Sequence, residues 1–228
     1  MKIAVMSDVH ANSTYLECFF EDSRKQGAEM VLCCGDLVGY YDQPNAVLTR
    51  LRESGICCVK GNHDKYFLGE LDYDLNRDHV YGIGSHRKKV SEINRFFLKN
   101  LPDSRTLEIA GLRFYMTHSL PNDPVSYCYD PPEIDPTLNE SIDFYLYGHT
   151  HVPKVASKDG VWFVNPGSVG QPRDYSRKGA YAMIETTSRT IDLCHFYVDV
   201  EGLCQTLEAD NYDASLIEIL RRNDGQRK

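Results

Sequence analysis

Five short polar clusters constrain this chain more than any other feature: Asp8-Val9-His10, Gly35-Asp36, Gly61-Asn62-His63-Asp64, His118, and Gly148-His149-Thr150-His151. Each follows a short apolar run, at residues 2–7, 30–34, 56–60, 112–117 and 144–147. These runs read as strands. Between the first three lie amphipathic stretches: Asn12 or Ser13 can cap a helix that carries Leu16, Phe19 and Phe20 on one face up to Gly27, and residues 44–54 form a second helix. Apolar strands joined by such helices indicate a parallel sheet covered on both faces. The carboxyl ends of parallel strands line a ligand crevice, so polar residues placed there can converge. Five of the eight histidines fall in these clusters.

The rest of the chain changes character. Residues 66–100 read as mostly helical, with Ile93, Phe96, Phe97 and Leu101 at core spacing. Residues 107–109 and 112–117 flank Ala110-Gly111 as a hairpin, further strands are expected at 144–147, 162–164, 180–185 and 191–198, and residues 209–222 suit a terminal helix. Residues 119–142 hold half of the ten prolines together with Tyr127 and Tyr129, and a loop of that length inside a compact domain is more often functional than accidental. With no repeat and no linker, residues 1–228 read as one α/β domain: two mixed β-sheets packed face to face, flanked by helices, with a Pro-rich loop at 119–142 on the substrate side.

Composition narrows the function. Lysine and arginine number 25 against 33 acidic residues, a formal charge of −8, which argues against a general binder of nucleic acid or anionic membrane. The chain has no signal-peptide pattern at its start and no apolar run near the roughly 18–20 residues that span a bilayer, so a soluble cytoplasmic protein is expected. The eight cysteines include adjacent pairs, Cys33-Cys34 and Cys57-Cys58, inside apolar runs and lack the CxxC spacing of zinc ribbons. They read as small buried hydrophobes.

A four-letter run such as Gly-Asn-His-Asp arises by chance in about one chain per thousand of this length, and the ordered set of clusters is far rarer. Together they resemble the calcineurin-like metallophosphoesterases, whose pattern is D-x-H, G-D, G-N-H-[DE], H, G-H-x-H. The likeness spans residues 2 to about 197 and is greatest to the small bacterial and archaeal phosphodiesterase-like branch. That branch also tends to carry Asn after the first cluster and a late Asn-Pro-Gly-Ser run, present as Asn12 and as residues 165–168.

The resemblance implies a metallophosphoesterase β-sandwich with two divalent ions. One would be held by Asp8, His10 and His151, the second by Asn62, His118 and His149, with Asp36 bridging. Imidazole, carboxylate and amide donors suit Mn, Fe, Co, Ni or Zn, and manganese is the ion we favour. A bridging carboxylate can hold two cations about 3.5–4 Å apart, and a water between them would lose its proton near neutral pH and attack phosphorus. In the family pattern His63 assists the leaving group, and the adjacent Asp64 is expected to fix its tautomer and favour its cation. The implied activity is hydrolysis of phosphodiester or nucleotide phosphoanhydride bonds.

Protein phosphatases and symmetrical diadenosine tetraphosphatases carry an arginine soon after Gly-Asp; this chain has Leu37-Val38-Gly39-Tyr40-Tyr41 there. That weakens a phosphoprotein reading, with a phosphomonoesterase or protein phosphatase kept as an alternative, and leaves Arg173 as a substitute phosphate contact. Asn12, Tyr40 and Tyr41 are the other expected substrate contacts, the tyrosines by stacking on a nucleobase or aryl group. The competing class is a non-enzymatic interaction module on the same fold. Two divalent ions would also raise the charge of the site by four units, so the acidic surface disfavours extended nucleic acid while admitting a small phosphate ester or nucleotide.

Overall fold

The computed structural model describes residues 1–120, 122–132 and 142–222. The first half runs β1 (Lys2–Met6), α1 (Ser13–Lys25), β2 (Met30–Cys33), α2 (Pro44–Ser54), β3 (Cys57–Cys58), α3 (Asn62–Leu68), α4 (Asp78–Tyr81), α5 (Ile83–Lys89) and α6 (Glu92–Lys99). The second runs β4 (Ser104–Ile109), β5 (Leu112–Thr117), β6 (Phe144–Leu146), β7 (Lys154–Lys158), β8 (Val161–Asn165), β9 (Gly179–Glu185), β10 (Thr190–Phe196), α7 (Val200–Ala209) and α8 (Ala214–Arg221).

The strands form two five-stranded mixed sheets, ordered β10-β9-β1-β2-β3 and β4-β5-β6-β8-β7. In the first, β1, β2 and β3 are parallel; in the second, β5, β6 and β8 are. Side chains alternate along a strand, which divides the core. Ile3 and Val5 of β1 face the second sheet, meeting Phe114, Met116, Phe144 and Leu146. Ala4 and Met6 face the other way, onto a layer containing Leu16 and Phe19 of α1, Val47 and Leu51 of α2, and Leu216 and Leu220 of α8. The expected helical cover is therefore on the first sheet. The outer face of the second carries Tyr115, Tyr145, Tyr147 and Phe163, packed instead by Leu120, Cys128 and Ile142 of the Pro-rich stretch. Parts of that stretch, residue 121 and residues 133–141, lie outside the described residues.

Two expectations need correction. Ile93 and Phe96 are 57% and 69% exposed, so they are not core. The rotation of α6 is set by Asn94, whose Nδ2 donates to Asn45 Oδ1 at 3.0 Å and Thr49 Oγ1 at 2.9 Å, turning Asn94 and Leu98 inward. The apolar run 56–60 yields only a two-residue edge strand, β3. Two elements had no clear signal: β7, a polar edge strand (KVASK), and α7, whose sequence includes Gly202 and Thr206. All eight cysteines are free thiols, and five of them are buried. Among the described residues, no helix is long and apolar enough to cross a membrane.

Candidate metal centre

The parallel strands bring the clusters together. Asp8 and His10 follow β1, Asp36 follows β2, Asn62 and His63 open α3 just after β3, His118 follows β5, and His149 and His151 follow β6. All are buried, none more than 7% exposed. Two groupings of possible metal-ligand atoms, each within 4.8 Å, are Asp8 with His10 and His151, and Asp36 with His118 and His149. His118 Nε2 lies 3.3 Å from Asp36 Oδ2 and 3.1 Å from Asn62 Oδ1. His10 Nε2 lies 3.6 Å from that same Asp36 oxygen. The structure thus brings together all seven expected ligands, with Asp36 between the two groups.

Backbone carbonyls orient the imidazoles. His10 Nδ1 meets Val38 O at 3.1 Å, His118 Nδ1 meets Cys34 O at 2.7 Å, and His151 Nδ1 meets Gln171 O at 2.7 Å. A carbonyl only accepts, so each Nδ1 carries the proton and each Nε2 presents a lone pair inward when the ring is neutral. His149 is turned the other way, with Nε2 against Val125 O at 3.0 Å, which leaves Nδ1 for the centre.

The donor set fits divalent metal. His10 Nε2 and His151 Nε2 stand 3.1 Å apart, and burial with the nearby Arg173 pulls His151 down to about 4. At neutral pH this lone pair points at another nitrogen, 3.3 Å from Asp8 Oδ1, a buried oxygen with no hydrogen-bond partner among the described residues. Although burial opposes it, His118 is raised to about 10 by the Asp36 and Asp8 carboxylates. Despite burial, His151, His10 and His118 hold Asp8 well below the usual carboxylate range. The opposed His10 and His151 lone pairs beside the Asp8 oxygen are acceptors that a bound cation would satisfy.

The backbone is strained at the same places. Asp8, His10, Asp36, His149 and His151 all have φ between 50° and 69°. Left-handed conformations of residues other than glycine cost on the order of 1–3 kcal/mol each and cluster at functional sites. Two glycines permit the close approach of the loops. A Cβ on Gly61 would lie 2.0 Å from Asp36 Oδ1, and one on Gly148 would lie 1.9 Å from Ser7 Oγ. The late Asn-Pro-Gly-Ser run is a brace: Asn165 Nδ2 donates to Gly148 O at 2.7 Å, and Ser168 Oγ donates to Asp8 O at 2.7 Å.

The remaining expected residues divide. His63 reaches the centre, one ring nitrogen lying within 4.8 Å of ligand atoms of His10 and Asp36. Asp64 does not orient it. The Asp64 oxygens accept the N–H groups of Leu37 (2.9 Å), Val38 (3.1 Å) and Gly61 (2.9 Å), tying the loops after β2 and β3 together. Burial and the neighbouring Asp36 push Asp64 up to about 7, against those donors. His63 is not a cation either: burial pulls it well below the histidine range, and its Nδ1 has no hydrogen-bond partner among the described residues. It sits among rings instead, with Tyr40, Tyr66 and Tyr81 at centroid distances of 4.6, 5.4 and 4.8 Å.

Arg173 also reaches the site. Its guanidinium donates to Tyr127 Oη at 3.1 Å, Tyr40 Oη at 3.4 Å and Gln171 Oε1 at 3.1 Å. Asn12 and Tyr41 are engaged by the fold instead. Asn12 caps α1 by accepting Tyr15 N and donates to Gly170 O at 2.9 Å. Tyr41 is 2% exposed, and its hydroxyl donates to Leu216 O at 3.4 Å. Tyr40 is nearly buried against His10 and His63 rather than displayed at a rim. The carbonyls of Cys34, Val38, Val125 and Gln171 went unforeseen, because every residue carries a carbonyl and only the folded path singles these out.

Residues 1–189 match the calcineurin-like phosphoesterase superfamily domain. The chain belongs to this family. Among its relatives is the uncharacterized protein MJ0912 of Methanocaldococcus jannaschii, 31% identical over 217 residues, covering 87% of this chain and 88% of that protein. The phosphodiesterase YfcE of Escherichia coli is 24% identical over 195 residues, covering 81% of this chain and 88% of that one. A metallophosphoesterase structure from Sphaerobacter thermophilus shares the superfamily fold at a TM-score of 0.77 and 24% identity, covering 97% of this chain and 99% of that chain. The centre at the strand ends is where such a hydrolase would hold divalent metal.

Proposed function

We propose that the chain hydrolyses phosphodiester or nucleotide phosphoanhydride bonds with two divalent cations, manganese favoured. Asp8, His10 and His151 would hold one and Asn62, His118 and His149 the other, with Asp36 shared. Bound there, the cations would polarise a phosphoryl oxygen and lower the pKa of a water. The observation that carries this reading is the pair of opposed His10 and His151 Nε2 atoms, 3.1 Å apart beside Asp8 Oδ1, which has no hydrogen-bond partner among the described residues.

The chain's own groups supply the rest. Arg173, held by two tyrosine hydroxyls, adds a fixed positive charge where a substrate phosphate would sit. His63, kept neutral by its cage of rings, can donate a hydrogen bond to the departing oxygen from its ring N–H. A pure docking surface would need neither of these groups, and their presence beside the ligands favours the enzyme.

The test is turnover of bis-p-nitrophenyl phosphate and p-nitrophenyl phosphate with Mn²⁺, Co²⁺, Ni²⁺ or Zn²⁺ and with chelator. Metal-dependent diester cleavage is expected, falling on the order of 10²–10³-fold in His63→Ala, the usual cost of removing one preorganised hydrogen-bond donor from a developing charge. No diester cleavage with any of these ions, or a His63→Ala variant as fast as the wild type, would overturn the proposal.

A further inference from the structure

We propose that Tyr129, with Tyr127 behind it, is the subsite for an uncharged planar ring on the substrate: a nucleobase or aryl group attached to the phosphate bound at the metal centre. The identity of that phosphate end rests on the hydrolase reading above. The evidence for the ring end is a run of near-parallel rings that begins on a ligand. Tyr127 stacks on His149 at 4.6 Å and 22° between planes, and Tyr129 stacks on Tyr127 at 5.9 Å and 21°. Tyr127 and Tyr129 are 50% and 56% exposed, whereas Tyr40 and Tyr41 are 7% and 2% exposed.

These exposed rings are held in place. Arg173 Nη1 donates to Tyr127 Oη, Ser119 Oγ donates to Ser126 O at 2.8 Å, and His149 Nε2 meets Val125 O. Lys154 Nζ donates to Tyr129 O and pairs with Asp130 at 2.9 Å. A fixed aromatic face binds a ring with less lost freedom than a mobile one, so the arrangement suits recognition.

The chemistry of the neighbouring hollow selects the ring's character. Its volume is about 550 Å³, and its lining includes Tyr127, Tyr129, Asn122, Asp123 and Asp130. Two carboxylates line it, Asp130 paired with Lys154 and Asp123 accepting from Ser126. A second phosphate there would meet the Asp123 carboxylate, whereas a neutral heterocycle would meet π-faces and the Asn122 amide. The site therefore suits one phosphate with a ring beside it better than a polyphosphate tail.

The experiment compares binding of AMP and ribose 5-phosphate to the Mn²⁺-loaded protein by calorimetry, since the two share the phosphate and differ by the base. AMP is expected to bind about tenfold tighter, within the range for a base stacked on an aromatic side chain. Tyr129→Leu should bring that ratio below about threefold, and Tyr129→Trp should restore it. Equal affinities in the wild type, or an unchanged ratio in Tyr129→Leu, would overturn the subsite. Absence of diester turnover with the ratio intact would overturn the proposed reaction and leave the subsite standing.

Discussion

His86 ties the stability of the fold to pH through a single proton. It lies in α5, 1% exposed, with Nε2 2.6 Å from Tyr41 O and Nδ1 accepting from Gly39 N at 3.2 Å. One partner only accepts and the other only donates, so the ring must be neutral, with its proton on Nε2. Burial, only partly offset by the Tyr41 carbonyl, pulls it from 6.5 down to about 4. Between those values the unfolded chain binds a proton that the native protein excludes. Stability therefore rises with pH across this window and falls as pH drops from about 6.5 toward 4. At about 1.36 kcal/mol per pH unit the full effect is about 3 kcal/mol, of which about 2 kcal/mol lies between pH 7 and pH 5.

The perturbation is His86→Gln, whose amide can still donate to Tyr41 O but does not titrate. Urea unfolding of chelator-treated protein at pH 7 and pH 5 gives the two stabilities for each form. At pH 7 the variant should be about 1–2 kcal/mol less stable, having weakened the Gly39 bond. On acidification it should lose about 2 kcal/mol less than the wild type, because the other histidines titrate in both proteins and cancel in the difference. Parallel pH dependence in the two proteins would refute the reasoning. The stretch held by His86 carries Tyr40 against His63, so the same variant reports how firmly that cage is anchored.

Two further outcomes are expected. Gly61→Ala would place a Cβ 2.0 Å from Asp36 Oδ1, so Mn²⁺ affinity measured by calorimetry should fall at least tenfold, and wild-type affinity would contradict the close-packed position of Asp36. Asp64→Asn replaces one acceptor oxygen with a donor facing Gly61 N, leaving a buried N–H unpaired at a cost of about 1–3 kcal/mol. Its melting temperature should drop by several degrees, and a variant as stable as the wild type would show that the carboxylate is not the clamp between the loops after β2 and β3.

Much of the site was readable because metal chemistry restricts residue type. Few side chains offer imidazole, carboxylate or amide donors, and strands of period two ending in such residues announce where they will lie. The five clusters follow from that, and the family resemblance named seven ligands among them; β1, α1, α2 and the hairpin of β4 and β5 follow from local patterns. Side-chain purpose was less readable where it depends on direction. Asp64 is adjacent to His63 in sequence, yet the first turn of α3 aims its oxygens at backbone N–H groups. Tyr40 and Tyr41 are neighbours, yet one faces the ligands and the other the helical layer.

The sequence by itself determined which residues can bind metal, in what order they leave the strands, and that an α/β fold gathers them. Only the tertiary structure decided which imidazole nitrogen faces inward, that His63 is enclosed by rings and neutral, and that Arg173 bridges Tyr40 and Tyr127. The physical reason is that donor chemistry is a property of a residue, whereas protonation, tautomer and reach depend on carbonyls, rings and charges brought from distant parts of the chain.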